Sequence, residues 1–273
     1  MSPRRRSFTL PEVLDEAVEV VAAVAAPFIG VLWLTSLPLR LAQCHFAARL
    51  LELGGEASRH GAYLTELALL QTVLLVPWAW GRAVFVRACR LGLRGLRPGR
   101  AALRVGAAPF FGYLYATALI QTLFWATAWM FVTLPALVLL AALAAATHPM
   151  IERAGLLEPL RQIFRHGTHA VLLTGLLGVM GWAFLVAAVN LHVLFQAGVW
   201  LLGAFPGVDP GRWSALLQPR NARYVLALVA GAVLVLEPFL LAAVTVYVHK
   251  VRSRSSGEDL RLWFERLRRA VAA

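Results

Sequence analysis

Two long stretches of this chain contain no Asp, Glu, Lys or Arg: Val105 to Ile151, 47 residues, and Gly167 to Val208, 42 residues. A helix that crosses a bilayer needs roughly 20 apolar residues. Each stretch therefore holds two crossings, or one crossing and a re-entrant piece. A buried helix of a water-soluble core does not run so far without a charge. Composition agrees: 15% of the residues are charged, against about 25% in a soluble domain. Most of the surface must face something other than water. The expected fold is an all-α, polytopic membrane helix bundle of about six transmembrane helices, with amphipathic helices on its cytoplasmic side.

The chain divides into three parts. Residues 1–21 form a cytoplasmic amphipathic segment, 22–248 a six-span domain and 249–273 a basic cytoplasmic tail. Thr9-Leu-Pro-Glu12 is a helix start, with Thr9 as cap, Glu12 reaching back to it and Pro11 tolerated in the first turn. Val13, Leu14, Ala17, Val18 and Val21 then fall at helical spacing, and Asp15, Glu16 and Glu19 take another face. This pattern describes a helix lying in the membrane interface. The spans are expected at about 22–42, 62–84, 107–130, 134–146, 170–194 and 224–248. The fourth is short and carries Pro135, so it re-enters or tilts strongly. Residues 195–205 are an apolar continuation of the fifth that can form a half-helix.

Charge sets the orientation. The net charge is +12, and Lys250 is the one Lys among 26 basic residues. The positives cluster between apolar spans, as orientation signals do, and not along one face as in a nucleic-acid binder. With the N-terminus, Arg82–Arg104, His148–His166 and the tail inside, 20 of the 26 basic residues are cytoplasmic. That split follows the positive-inside rule and predicts a multi-pass protein of the cell inner (plasma) membrane with both termini in the cytoplasm. Cys44 and Cys89 then lie on opposite sides and do not pair.

Few residues suggest chemistry. Glu237 and Glu66 fall within spans, where an ionisable side chain is a functional candidate. Glu237 immediately precedes Pro238, which leaves a carbonyl free one turn earlier; a protonated Glu237 can occupy that break. The two readings are a proton or cation relay and a packing acid, protonated or paired. His148 and Glu152, at i, i+4, and His166 and His169, at i, i+3, suit a divalent metal if both pairs meet; amphipathic His residues at an interface are the alternative. Arg87, Arg90, Arg94, Arg97, Arg100 and Arg104 run without an acid and interleave with Leu91, Leu93 and Leu96. Such a belt fixes topology and contacts anionic lipid head groups. There is no G-x-S-x-G elbow, no H-E-x-x-H and no phosphate-binding glycine loop. No cofactor is expected, and enzymatic activity is not indicated. The expected partners are membrane lipids and a membrane or cytoplasmic protein, with no nucleic acid.

Three pieces of the sequence carry a resemblance. They are the acidic amphipathic N-terminal helix entering a Pro-containing span; Thr133-Leu-Pro135 followed by Pro149-x-x-Glu152-x-x-Gly155-x-x-Glu158-x-Leu160-Arg161; and Tyr247-x-x-Lys250-x-Arg252-x-Arg254-x-x-Gly257-x-Asp259-Leu260. This layout is similar to the membrane domain that precedes some bacterial glycerophosphodiester phosphodiesterases, and to its stand-alone relatives. In the tail, Val248-His249-Lys250 and Ser255-Ser256-Gly257 depart from the family pattern. The resemblance implies membrane architecture and a place beside lipid or envelope enzymes. It implies no hydrolysis, since no phosphodiesterase domain follows the spans. Function is thus expected to be that of a non-catalytic membrane module engaging lipid or a partner. A transporter or channel using Glu237, or a small metalloenzyme, is the alternative.

Overall fold

A computed structural model describes residues 8–127, 133–147, 170–205 and 210–256. Within them the chain forms helices α1 (Leu10–Leu53), α2 (Gly61–Leu93), α3 (Arg100–Leu103), α4 (Ala107–Thr127), α5 (Thr133–Thr147), α6 (Ala170–Leu202), α7 (Pro210–Leu216) and α8 (Ala222–Ser256), with a 3₁₀ helix at Gly54–His60 and no strand among the described residues. Helices α2, α4, α6 and α8 are long and apolar enough to cross a membrane, and α1 makes a fifth when its two bent parts count as one span. The apolar part of α5, Pro135–Thr147, is shorter. At about 1.5 Å per residue it falls well short of a hydrocarbon core about 30 Å thick. The short fourth segment therefore matches its sequence expectation. Residues 195–202 differ: α6 runs unbroken to Leu202, so they lengthen one helix and form no separate half-helix.

The N-terminal helix starts where expected. The backbone N–H of Thr9 donates to the Glu12 carboxylate at 3.0 Å. Between Leu10–Val24 and Pro27–Leu53 the axis turns by 96°. Pro27 accounts for the turn, because it lacks the N–H that would close the helical bond and its ring crowds the preceding turn. The first part is an arm across one end of the bundle.

Most of its apolar face is covered by protein, and Val18 of that face stays exposed. Val13, Ala17, Val20, Val21 and Val24 are buried within the protein core, with Val13 fully enclosed. Small residues let the arm approach: a Cβ at Gly92 of α2 would sit 2.9 Å from Val24, and one at Gly175 of α6 would sit 3.0 Å from Leu10. Phe8 meets Tyr247 of α8 edge-on with centroids 5.9 Å apart, and Lys250 Nζ pairs with Glu16 at 2.6 Å. The arm thus closes the end formed by the C-terminal halves of α2 and α8 and the start of α6.

At the opposite end Glu52 pairs with Arg49 at 2.9 Å and with Arg223 at 2.6 Å. This ties the end of α1 to the start of α8. The long helix α8 packs against α1, α2, α5 and α6 and is the centre of the bundle. Large apolar side chains such as Phe111, Trp182 and Trp200 point outward, as they do on a surface solvated by lipid.

Candidate functional site

Among the described residues the bundle buries one group of charges. Glu237, on α8, is 4% exposed, and Arg82, on α2, is also 4% exposed. Arg82 Nε lies 3.0 Å from Glu237 Oε1. Arg40, on the second part of α1, places Nη2 3.8 Å from the same oxygen. The indole N–H of Trp78 donates to that oxygen at 3.2 Å. Trp78 stands one helical turn before Arg82, so the two share a face of α2. Its ring lies 4.5 Å from the Arg82 guanidinium carbon and 5.5 Å from that of Arg40. Tyr113 of α4 is fully buried and sets its hydroxyl beside Arg82 and Thr117.

Charge and hydrogen bonds do not balance here. Two guanidinium groups face one carboxylate, so the cluster carries a net positive charge. All three contacts converge on Oε1. Among the described residues Oε2 has no donor, Arg82 Nη1 and Arg40 Nε have no acceptor, and the hydroxyl of Ser36 has no partner. Arg82 Nε faces Oε1 as an ion pair but outside hydrogen-bond alignment. Ser36 is fully buried and lies one turn before Arg40 on α1. The helices meet closely at this level, since a Cβ on Gly81 would come within 2.9 Å of the Cβ of Thr35.

The structure corrects the role sketched for the Pro238 break. Pro238 has no N–H for the carbonyl of Leu234, and the indole N–H of Trp33 fills that vacancy at 2.8 Å. Glu237 turns instead toward α1 and α2. Glu66, the other intramembrane candidate, does not join this cluster. Glu66 is exposed and stands about 24 Å along the α2 axis from Arg82, at 1.5 Å per residue.

Sequence reasoning missed Arg40 and Arg82. It placed Arg40 with the outer polar segment and Arg82 at the head of the cytoplasmic belt. A signal was present: Arg40 lies between Leu39 and Leu41, and Arg82 is followed by Ala83-Val84-Phe85-Val86. A lone cation inside an apolar run calls for a buried counter-charge.

The rest of the belt behaves differently. Helix α2 ends in a tight turn in which the Leu96 N–H donates to the Leu91 carbonyl at 2.9 Å and Gly95 takes φ 71°. That is the left-handed conformation usual after a helix C-terminus. Beyond it Arg94, Arg97, Arg100 and Arg104 are exposed, while Arg87 and Arg90 are half-buried. The guanidinium of Arg87 donates to the Arg104 carbonyl, folding the loop back on α2.

His148, Glu152, His166 and His169 lie outside the described residues. Among the described residues no three His, Cys, Asp or Glu side chains gather as metal ligands. His45 and His192 each meet a tyrosine hydroxyl, Tyr63 at 3.1 Å and Tyr224 at 2.6 Å. Cys44 and Cys89 are both free.

No family model matches the chain, and no curated protein or solved structure was found similar to it.

Proposed function

We propose that the protein is a non-catalytic module of the inner membrane that engages anionic lipid head groups, and through them or beside them a partner protein, with both termini in the cytoplasm. The observation that carries this reading is the loop from Arg94 to Arg104. It presents four exposed arginines and no acid, and the exposed Leu96 and Leu103 stand between them. Cations interleaved with apolar side chains at a bundle end suit the boundary between head groups and acyl chains. Each nearby basic residue contributes about 1 kcal/mol of attraction to an anionic leaflet. The count of basic residues favours the same orientation, because the other bundle end holds far fewer. The likeness to the phosphodiesterase membrane domain and its stand-alone relatives agrees with a role beside lipid enzymes.

The transporter reading has less support. The carboxylate it needs is engaged by Trp78 and Arg82, and Glu66 is remote from it. The metalloenzyme reading rests on residues outside the described ones.

The test is reconstitution into nanodiscs of neutral lipid, with and without an anionic phospholipid. Anionic lipid is expected to raise the thermal stability of wild type. Replacing Arg94, Arg97, Arg100 and Arg104 together by Gln should remove most of that rise. An equal rise in the variant would overturn the reading.

A further inference from the structure

We propose that the buried cluster around Arg82 is a second, internal binding site, which takes a singly charged oxyanion, a carboxylate or a phosphodiester, presented from the bilayer. This site is separate from the Arg94–Arg104 loop and does not depend on it.

Three observations converge. The first is charge. Arg40 and Arg82 face one carboxylate, Glu237, and an unbalanced cation inside a membrane bundle is expensive. One negative charge restores neutrality; a doubly charged phosphate would overshoot it.

The second is hydrogen bonding. Buried polar atoms are normally paired. Here unpartnered donors lie on two neighbouring helices: the Ser36 hydroxyl and Arg40 Nε on α1, and Arg82 Nη1 on α2. Ser36 is fully buried and Arg82 nearly so. Guanidinium N–H groups with a hydroxyl are the donor set that oxyanions accept best. The remaining carboxylate oxygen, Glu237 Oε2, is also unpartnered among the described residues. It can receive a hydroxyl of the ligand or a water.

The third is access. The Arg40 side chain is 20% exposed, so the cluster reaches the surface there. Its neighbours Leu37 and Leu41 are exposed and apolar. Below the site, Leu39, Leu74, Leu75 and Leu114 pack around Trp78. A ligand arriving past these side chains travels through hydrocarbon, which favours an amphiphile with a charged head over a solute from water.

The experiment is native mass spectrometry and calorimetry on the full chain in neutral nanodiscs. The probes are oleate, phosphatidylglycerol and acetate. Wild type is expected to take up one oleate or one phosphatidylglycerol saturably. Arg40→Gln and Ser36→Ala should each weaken that binding by about tenfold, the loss expected for one charged hydrogen bond. Replacing the four loop arginines should leave it unchanged. Oleate without phosphatidylglycerol identifies a carboxylate, and the reverse a phosphodiester. Acetate binding with the same dependence on Arg40 keeps the oxyanion site and shows that its source is aqueous. Binding absent from wild type, or unaltered in both variants, overturns the proposal; the unpaired atoms are then satisfied by water alone. Arg82→Gln risks misfolding, because it strips Glu237 of its nearest cation. The double variant Arg82→Gln/Glu237→Gln, which removes the pair together and leaves Arg40 as the lone cation, gives the same reading: without the Arg82 donors it should bind at least about tenfold more weakly than wild type.

Discussion

Arg82 Nε and Glu237 Oε1 stand 3.0 Å apart, joining α2 to α8 across the interior of the bundle. Both side chains are almost fully enclosed, so losing one partner strands the other charge out of water. Breaking a buried pair of this kind by removing one member typically destabilises by about 3–5 kcal/mol, whereas removing both is often close to neutral. Glu237→Gln, which leaves two cations, should therefore destabilise by at least about 3 kcal/mol on this scale. Arg82→Gln/Glu237→Gln should recover most of the loss. Denaturant unfolding in micelles, run as a double-mutant cycle, measures the coupling. A double variant as unstable as the sum of the singles would contradict a direct pair.

The Trp33–Leu234 hydrogen bond gives an independent prediction. It exists because Pro238 cannot donate to that carbonyl, and the indole replaces the missing backbone bond at 2.8 Å. Trp33→Phe should destabilise by about 1 kcal/mol from the hydrogen bond alone, with further loss from packing. In a Pro238→Ala background the helix has its own N–H at this position, and the hydrogen-bond part of the Trp33 effect should vanish. The coupling energy in that cycle is the readout. Additive effects would mean that the indole contact is incidental.

Much of this fold was legible in the residues, because lipid imposes simple rules. Charge-free length marks the spans, and the Thr9–Glu12 cap marks the start of α1. The short α5 was visible from Pro135 and the polar residues that follow Thr147. What was not legible is what pairs with what. The periodicity of Val13 to Val24 shows an apolar face but not whether lipid or protein covers it; the answer depended on Gly92 and Gly175, which are small for reasons that appear only when the arm is seated on them. Glu237 was legible as a candidate because a carboxylate in a span is rare. Its partners were not, since Arg40 and Arg82 fall near predicted span ends and charge counting assigns such arginines to water. Helices that run longer than the minimum span carry those positions into the interior.

The closest approach of α1 and α2 predicts a steric lesion. At Gly81 an added Cβ would lie 2.9 Å from the Cβ of Thr35. Thr35 cannot easily yield, because its hydroxyl bonds to the carbonyls of Val31 at 2.9 Å and Leu32 at 3.0 Å. Gly81→Ala should separate the helices and destabilise by about 1–3 kcal/mol, as overpacking does. It should also disturb the neighbouring Arg82. Gly81→Ala/Thr35→Ala, with the hydroxyl and methyl removed, is expected to relieve part of the strain. Thermal unfolding of the three variants checks this, and no relief in the double variant would place the lesion elsewhere.

Orientation can be tested with the chain's own geometry. Arg97 is exposed in the loop after α2, and Arg59 is exposed in the 3₁₀ helix before it. A membrane-spanning α2 puts them on opposite sides. On the proposed orientation the Arg97 end, with its excess of basic residues, faces the cytoplasm. Cys44 and Cys89 are replaced by Ser and Ala, Cys89 being fully buried, and a single Cys is then introduced at either position. In sealed right-side-out vesicles an impermeant maleimide should label Arg59→Cys and spare Arg97→Cys. Inverted vesicles should reverse the pattern. Labelling of both positions from one side would mean that α2 does not span, because a spanning helix of 33 residues puts its two ends in different compartments. Labelling of Arg97→Cys alone from outside would instead invert the molecule, placing the arginine loop against the outer leaflet and removing the basis for its contact with cytoplasmic anionic lipid.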